Sequence, residues 1–153
     1  QLKGYDMGLD MHLRGKRHVY FVDEALREKL DEVGKLLNCK ITEIAFEAGY
    51  WRKANAIHQW FVDNVQNGDD NCGAYPVSQR DLVALRSLCA ELLANKDPKA
   101  ASENLPPQEG FFFGSTEIDE DYWHDLQHTV EQITALEKRP DFGDLDFEYQ
   151  SSW

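Results

Sequence analysis

The stretch Gly49–Phe61, GYWRKANAIHQWF, places two tryptophans, an Arg-Lys pair, an asparagine and a histidine within one short segment. Its reading as helix or strand decides what the rest of the chain can build around it. At 3.6 residues per turn, Tyr50, Ala54, Ile57, Phe61 and Val65 fall on one stripe. Trp51, Asn55, His58 and Val62 fall on the stripe beside it, flanked by Arg52 and Gln59. The periodicity predicts one helix, entered from the Cys39–Phe46 segment and running to about Gln66. The first stripe reads as core. The second carries an asparagine and a histidine, which need hydrogen-bond partners if buried.

On the N-terminal side, MGLDMHLRGKRHVYFV mixes alternation with β-branched and aromatic residues, predicting one or two short strands ending near Val22. Asp23 is placed to cap a helix over Glu24–Asn38, with Leu26, Leu30, Val33 and Leu37 on one face. On the C-terminal side, NGDDNCGAYP (Asn67–Pro76) is turn chemistry. Ser78 with Asp81 then forms a capping-box pattern, and Val77 with Leu82 a hydrophobic staple. The helix that follows repeats Leu82, Leu85, Leu88, Cys89 and Leu92 at helical spacing.

Asn95–Gly110 reads as a polar, proline-containing connection, and FFFGS (Phe111–Ser115) as a short buried strand. Thr116–Lys138 is a last helix, with Tyr122, Leu126, Val130 and Ile133 on its apolar side and Pro140 ending it. GDLDFEYQSSW (Gly143–Trp153) alternates Leu145, Phe147 and Tyr149 against Asp146, Glu148 and Gln150, so it reads as a strand. The expectation is one helix-rich α+β domain. It has about four helices and short strands at the N-terminus, around residues 111–114 and at the C-terminus.

Length and charge narrow the function classes. The chain has 153 residues, enough for one core-forming domain. Its formal net charge is −12, unevenly placed: residues 97–153 hold 14 acidic and 3 basic side chains, whereas residues 1–96 are nearly balanced. A duplex-binding protein carries a basic stripe against phosphates, so general nucleic-acid binding is disfavoured. No apolar run reaches membrane-spanning length and no secretory leader pattern stands out, so the chain reads as soluble and intracellular, without a membrane partner. Cys39, Cys72 and Cys89 form no C-x-x-C pattern, which argues against a disulfide framework or a thiolate zinc site.

The candidate site grows from the second stripe. Trp51 or Trp60 offers a stacking surface, Arg52 and Lys53 suit phosphate or carboxylate, and Asn55 with His58 fix orientation. Gly114, Ser115 and Thr116 before a helix present N–H and hydroxyl groups to an anion. His124 and His128 lie at i and i+4 with Asp121 and Asp125 nearby, but no third ligand is fixed elsewhere, so no metal and no cofactor is assigned. The H-E-x-x-H, G-x-S-x-G and P-loop patterns of established chemistries do not occur.

Five segments in order resemble a family of small uncharacterised proteins encoded by tailed bacteriophages and prophages. They are MGLDMHL (Met7–Leu13), YWRKANAIHQWFV (Tyr50–Val62), DNCGAYPVS (Asp70–Ser78), LPPQEGFFFGST (Leu105–Thr116) and FEYQSSW (Phe147–Trp153). The resemblance implies that residues 1–6 are an extension, that residues 7–153 are the domain, and that the protein is a phage accessory product working in the host cytoplasm. It transfers no catalytic residue.

By analogy with the counter-defence role of such proteins, the leading expectation is a non-enzymatic binder of a nucleotide-derived immune signal. Trp51, Arg52, Lys53, Asn55, His58 and Trp60 would form its site. Phe113, Ser115, Tyr149 and Trp153 would close the pocket, and a homo-oligomer would share it. An acidic protein-binding inhibitor or nucleic-acid mimic is the second expectation. A nucleotide-signal hydrolase using His58 or His124 as general base is the third.

Overall fold

The computed structural model describes residues 8–153; the expected extension over residues 1–6 lies outside them. Four strands, β1 (Asp10–His18), β2 (Glu43–Arg52), β3 (Tyr75–Val77) and β4 (Asp146–Ser152), form one antiparallel sheet in the order β2-β1-β4-β3. Five helices complete the α+β domain: α1 (Glu24–Leu37), α2 (Asn55–Asn64), α3 (Gln79–Asn95), α4 (Pro98–Asn104) and α5 (Glu120–Glu137). The two termini of the domain therefore pair as β1 and β4, with Leu13 opposite Tyr149 and Met11 opposite Ser151.

One sheet face carries the core. Met11, Leu13, Trp51, Phe147 and Tyr149 turn towards α2, α3 and α5, which contribute Ile57, Phe61, Leu82, Leu85, Cys89, Leu126 and Ile133. The opposite face meets water, as an antiparallel sheet allows. There Lys16 and Arg14 reach Glu148, and His12 lies beside Glu47.

Local signals fixed several boundaries. Asp23 accepts a hydrogen bond from the Leu26 N–H, Ser78 and Asp81 make both bonds of the capping box, and α5 is capped by Asp119.

The long helix expected across Gly49–Phe61 is instead a strand followed by a helix. Residues 43–52 pair with β1, and a bulge places Ala48 as an extra residue between the pairs Arg14–Glu47 and Leu13–Gly49. The bulge turns both halves of β2 to the core side, so Phe46 covers Gly15 while Trp51 enters the interior. Lys53 then takes a left-handed backbone (φ 56°), which no helix interior accommodates, and α2 starts only at Asn55. The apparent stripe from Tyr50 to Phe61 thus spans two elements.

Two further expectations are corrected. The Asn95–Gly110 connection contains α4, opened by Asp97 as N-cap and Pro98 in the first turn. The expected strand around 111–114 is a turn, because Phe112 (φ 64°) and Gly114 (φ 90°) are both left-handed. Phe113 alone of the three phenylalanines is buried there.

A cleft between the β2–α2 turn and the start of α5

The turn from β2 into α2 and the first turns of α5 enclose a cleft of about 300 Å³. Arg52, Lys53 and Asn55 come from the turn, Ser115 from the preceding loop, and Asp121 and Asp125 from α5. Each wall has an identifiable support.

Lys53 is held by its own N–H, which donates to the Leu9 carbonyl at 2.8 Å, and by its carbonyl, which accepts from the Asn55 N–H at 2.9 Å. Gly114 packs against it so closely that a Cβ there would stand 3.3 Å from the Lys53 Cβ. Gly8 lets the Lys53 and Arg52 side chains cross above it, since a Cβ would approach Lys53 Cε to 2.8 Å.

Asn55 is buried and fully used. Its amide donates to the carbonyls of Phe113 (3.1 Å) and Ser115 (2.8 Å), and its oxygen accepts from the Gln108 N–H (2.9 Å). One side chain thereby pins the whole 108–115 loop over the cleft. Arg52 donates to Asp10 Oδ1 at 2.7 Å, and the Tyr50 hydroxyl donates to the same oxygen. Burial opposes ionisation of Asp10, but the hydrogen bonds from Tyr50 and Arg52 and the guanidinium charge outweigh it and hold the carboxyl below its ordinary value.

Asp125 behaves in the opposite way. Burial pushes its carboxyl up to about 6; His124 opposes the shift, and Asp121 and Asp119 add to it. The cleft therefore sets Arg52 and Lys53 against Glu117, Asp119, Asp121 and Asp125. Such a cavity suits a ligand bearing one anionic group together with hydrogen-bond donors. A bare polyphosphate would meet four carboxylates at short range, which Coulomb's law disfavours.

The residues expected to form one site divide into two groups. Arg52, Lys53, Asn55 and Ser115 do line the cleft. Trp51 is buried, and its indole N–H donates to Thr129 Oγ1 at 2.8 Å, so neither ring face is open for stacking on a base. His58 is 0% exposed: Nε2 lies 3.0 Å from Asp70 Oδ2 and Nδ1 2.6 Å from the Tyr149 hydroxyl. With Nε2 protonated towards the carboxylate, Nδ1 accepts from the tyrosine, and both ring nitrogens are satisfied.

Tyr149 stacks on Phe61 with centroids 3.9 Å apart, and burial raises its pKa well above the ordinary value. Phe113 lies edge-on to His58, and the half-exposed Trp153 donates its indole N–H to Asp70 Oδ1 at 3.1 Å. Trp60 is partly buried, packed edge-on against Phe61. Within this second group His58 and Tyr149, with Phe61, brace α2 against β4, while Trp51 ties β2 to α5.

His124 faces the cleft, while His128 lies 3.0 Å from the Tyr50 carbonyl and is occupied there. Among the described residues no cluster of three His, Cys, Asp or Glu side chains is placed to hold a metal ion. Among them, too, no helix is long and apolar enough to cross a membrane. The sequence offered Asp125 only as a neighbour of His124 and His128 and Gly114 only as an N–H donor to an anion, and it gave no sign of Glu117; their convergence on the β2–α2 turn is what brings the three into one cleft.

No protein-family model matches this chain, and no curated protein or solved structure matches it.

Proposed function

We propose that the protein acts by binding, and that the cleft holds a compact nucleotide-derived signalling molecule, sequestered by a phage product within its host. The observation that carries this reading is Lys53. A lysine in the left-handed region costs about 1–2 kcal/mol relative to ordinary backbone, and glycine would occupy the position freely. The strain directs a cationic side chain into a cleft whose far wall is acidic. A phosphate at Lys53 and Arg52, with ribose hydroxyls or a base amine donating to Asp121 and Asp125, satisfies both walls.

A volume of about 300 Å³ stands at the small end of ligand sites and admits one nucleotide unit. The stacking surface expected from Trp51 is not required. Native mass spectrometry and calorimetry against mononucleotides, cyclic dinucleotides and ADP-ribose derivatives test the proposal. Binding at micromolar concentration or tighter is expected for at least one, and Lys53→Gly should abolish it without lowering the melting temperature. Absence of binding to every member refutes the reading. Conversion of the ligand during incubation would make the protein a hydrolase, and loss of that conversion in Asp125→Asn but not in His124→Gln would assign Asp125 as the general base.

A second reading is favoured by the exposed carboxylates Glu117, Glu120 and Asp121 and the half-buried Asp119 around the start of α5, which present an acidic surface to a basic protein partner. It predicts that reversing Asp119, Glu120 and Asp121 abolishes counter-defence activity while Lys53→Gly leaves it intact.

A further inference from the structure

Helix α1 is amphipathic, yet it buries only Gly34 of its residues. The apolar face that the spacing places on this helix, Leu26, Leu30, Val33 and Leu37, lies outside the core: Leu26, Val33 and Leu37 are exposed and Leu30 is half-buried. Leu36 beside them is 86% exposed. The other described residues leave this stripe largely uncovered because α1 sits outside the α2, α3 and α5 layer that caps the sheet.

We infer that α1 is the dimerisation element of this protein, pairing antiparallel with α1 of a second copy about a two-fold axis. Three observations select that occupant. First, the spacing Leu26-Leu30-Val33-Leu37 repeats at four, three and four residues, which is the seam of a helix pair and seats one helix against another like it. Second, the five side chains expose roughly 400 Å² of apolar surface, the size of the largest patch on an ordinary monomer, which is often functional. At an apolar share of about 57%, that corresponds to an interface of roughly 700 Å² per partner, within the range of specific complexes.

Third, the charges agree. The cations flanking the seam, Arg27 (its guanidinium donating to the Tyr20 and Val22 carbonyls) and the exposed Lys29, both lie in its N-terminal half, and their counterparts in the C-terminal half are Gly34 and Leu36. Antiparallel pairing sets these cations beside the partner helix's carbonyl end, where positive charge is favourable, whereas parallel pairing would gather all four at one end. The acidic excess of the chain falls in residues 97–153, outside this helix, so two copies meet through their nearly neutral part. The polar face of α1, with Glu24, Glu28, Asp31 and Glu32, opposes adsorption to an anionic lipid surface.

The test is the solution mass of the full chain. Sedimentation equilibrium at about 100 µM protein should give twice the 17.7 kDa chain mass. The double variant Leu36→Glu/Leu37→Glu should return the monomer mass with an unchanged far-ultraviolet circular dichroism spectrum, because both side chains are exposed in the monomer. A wild-type monomer at that concentration overturns the inference, and if it also floats with phosphatidylcholine vesicles the stripe belongs to a lipid surface. A dimer that persists in the double variant overturns it equally. For orientation, in a background where the accessible native thiols Cys39 and Cys72 are replaced by serine, Leu26→Cys and Leu37→Cys together should cross-link two chains under oxidation, while Leu26→Cys alone should not. Cross-linking by Leu26→Cys alone refutes the antiparallel arrangement.

Discussion

Replacing Asn55 by aspartate changes one atom type in a side chain that holds a loop of eight residues in place. The shape is kept, the acceptor bond from the Gln108 N–H is kept, and the two donor bonds become contacts between a carboxylate oxygen and the carbonyls of Phe113 and Ser115, now 3.1 and 2.8 Å away. Each lost bond is worth about 1 kcal/mol net, and the desolvated, opposed charge adds about 1–3 kcal/mol more. Asn55→Asp should therefore lose about 4 kcal/mol at pH 7.5. Asn55→Ala, which forfeits all three bonds without introducing a charge, should lose about 3 kcal/mol.

The aspartate variant carries a signature that alanine lacks. Its carboxyl is protonated more readily in the folded than in the unfolded chain, so the folded pKa lies above the unfolded value. The penalty is then complete above the folded pKa and shrinks as pH falls towards the unfolded value of about 4. Once protonated, the carboxyl donates to one of the two carbonyls and recovers part of the loss. Urea unfolding at pH 7.5 and 4.5 reads both effects. A deficit below about 0.5 kcal/mol at pH 7.5, or one of equal size at both pH values, would show that Asn55 does not pin this loop.

Two further perturbations probe the cleft walls. Asp125→Asn should stabilise the protein at pH 8, because burial raises the Asp125 carboxyl to about 6 and its ionised form weakens the fold. The shift sets a ceiling of about 3 kcal/mol, and partial exposure reduces the expectation to about 1–2 kcal/mol. The gain should be present above pH 6 and vanish below about pH 4 in thermal melts, where both states are protonated; a flat profile contradicts the burial. Gly114→Ala should cost about 1–2 kcal/mol, since φ is 90° and the new Cβ would crowd the Lys53 Cβ at 3.3 Å. Chemical denaturation reads it, and a neutral result would mean that the turn relaxes without strain.

The parts of this fold that could be read from the chain alone are those whose causes lie among neighbouring residues. Asp23, Ser78 with Asp81, the leucine repeat of α3 and the alternation of β4 each carry their own cap, stripe or face within a few positions. The same locality explains why Arg52, Lys53 and Asn55 were legible as a polar set, and why Ser115 stood out only within its own Gly114-Ser115-Thr116 run.

Strand β2 was not legible, because its hydrogen bonds come from β1, some thirty residues earlier, and its phase is reset by the bulge at Ala48. Once that register is set, Trp51 must point inwards to Thr129, and His58 is enclosed by Asp70 and Tyr149 from distant parts of the chain. Composition named the chemistry of those side chains, but burial decided that they support the cleft instead of lining it. The apolar stripe of α1 shows the same limit from the other side. Periodicity specified an apolar helical face, and only the packing of α2, α3 and α5 over the sheet determined that the other described residues leave it largely uncovered.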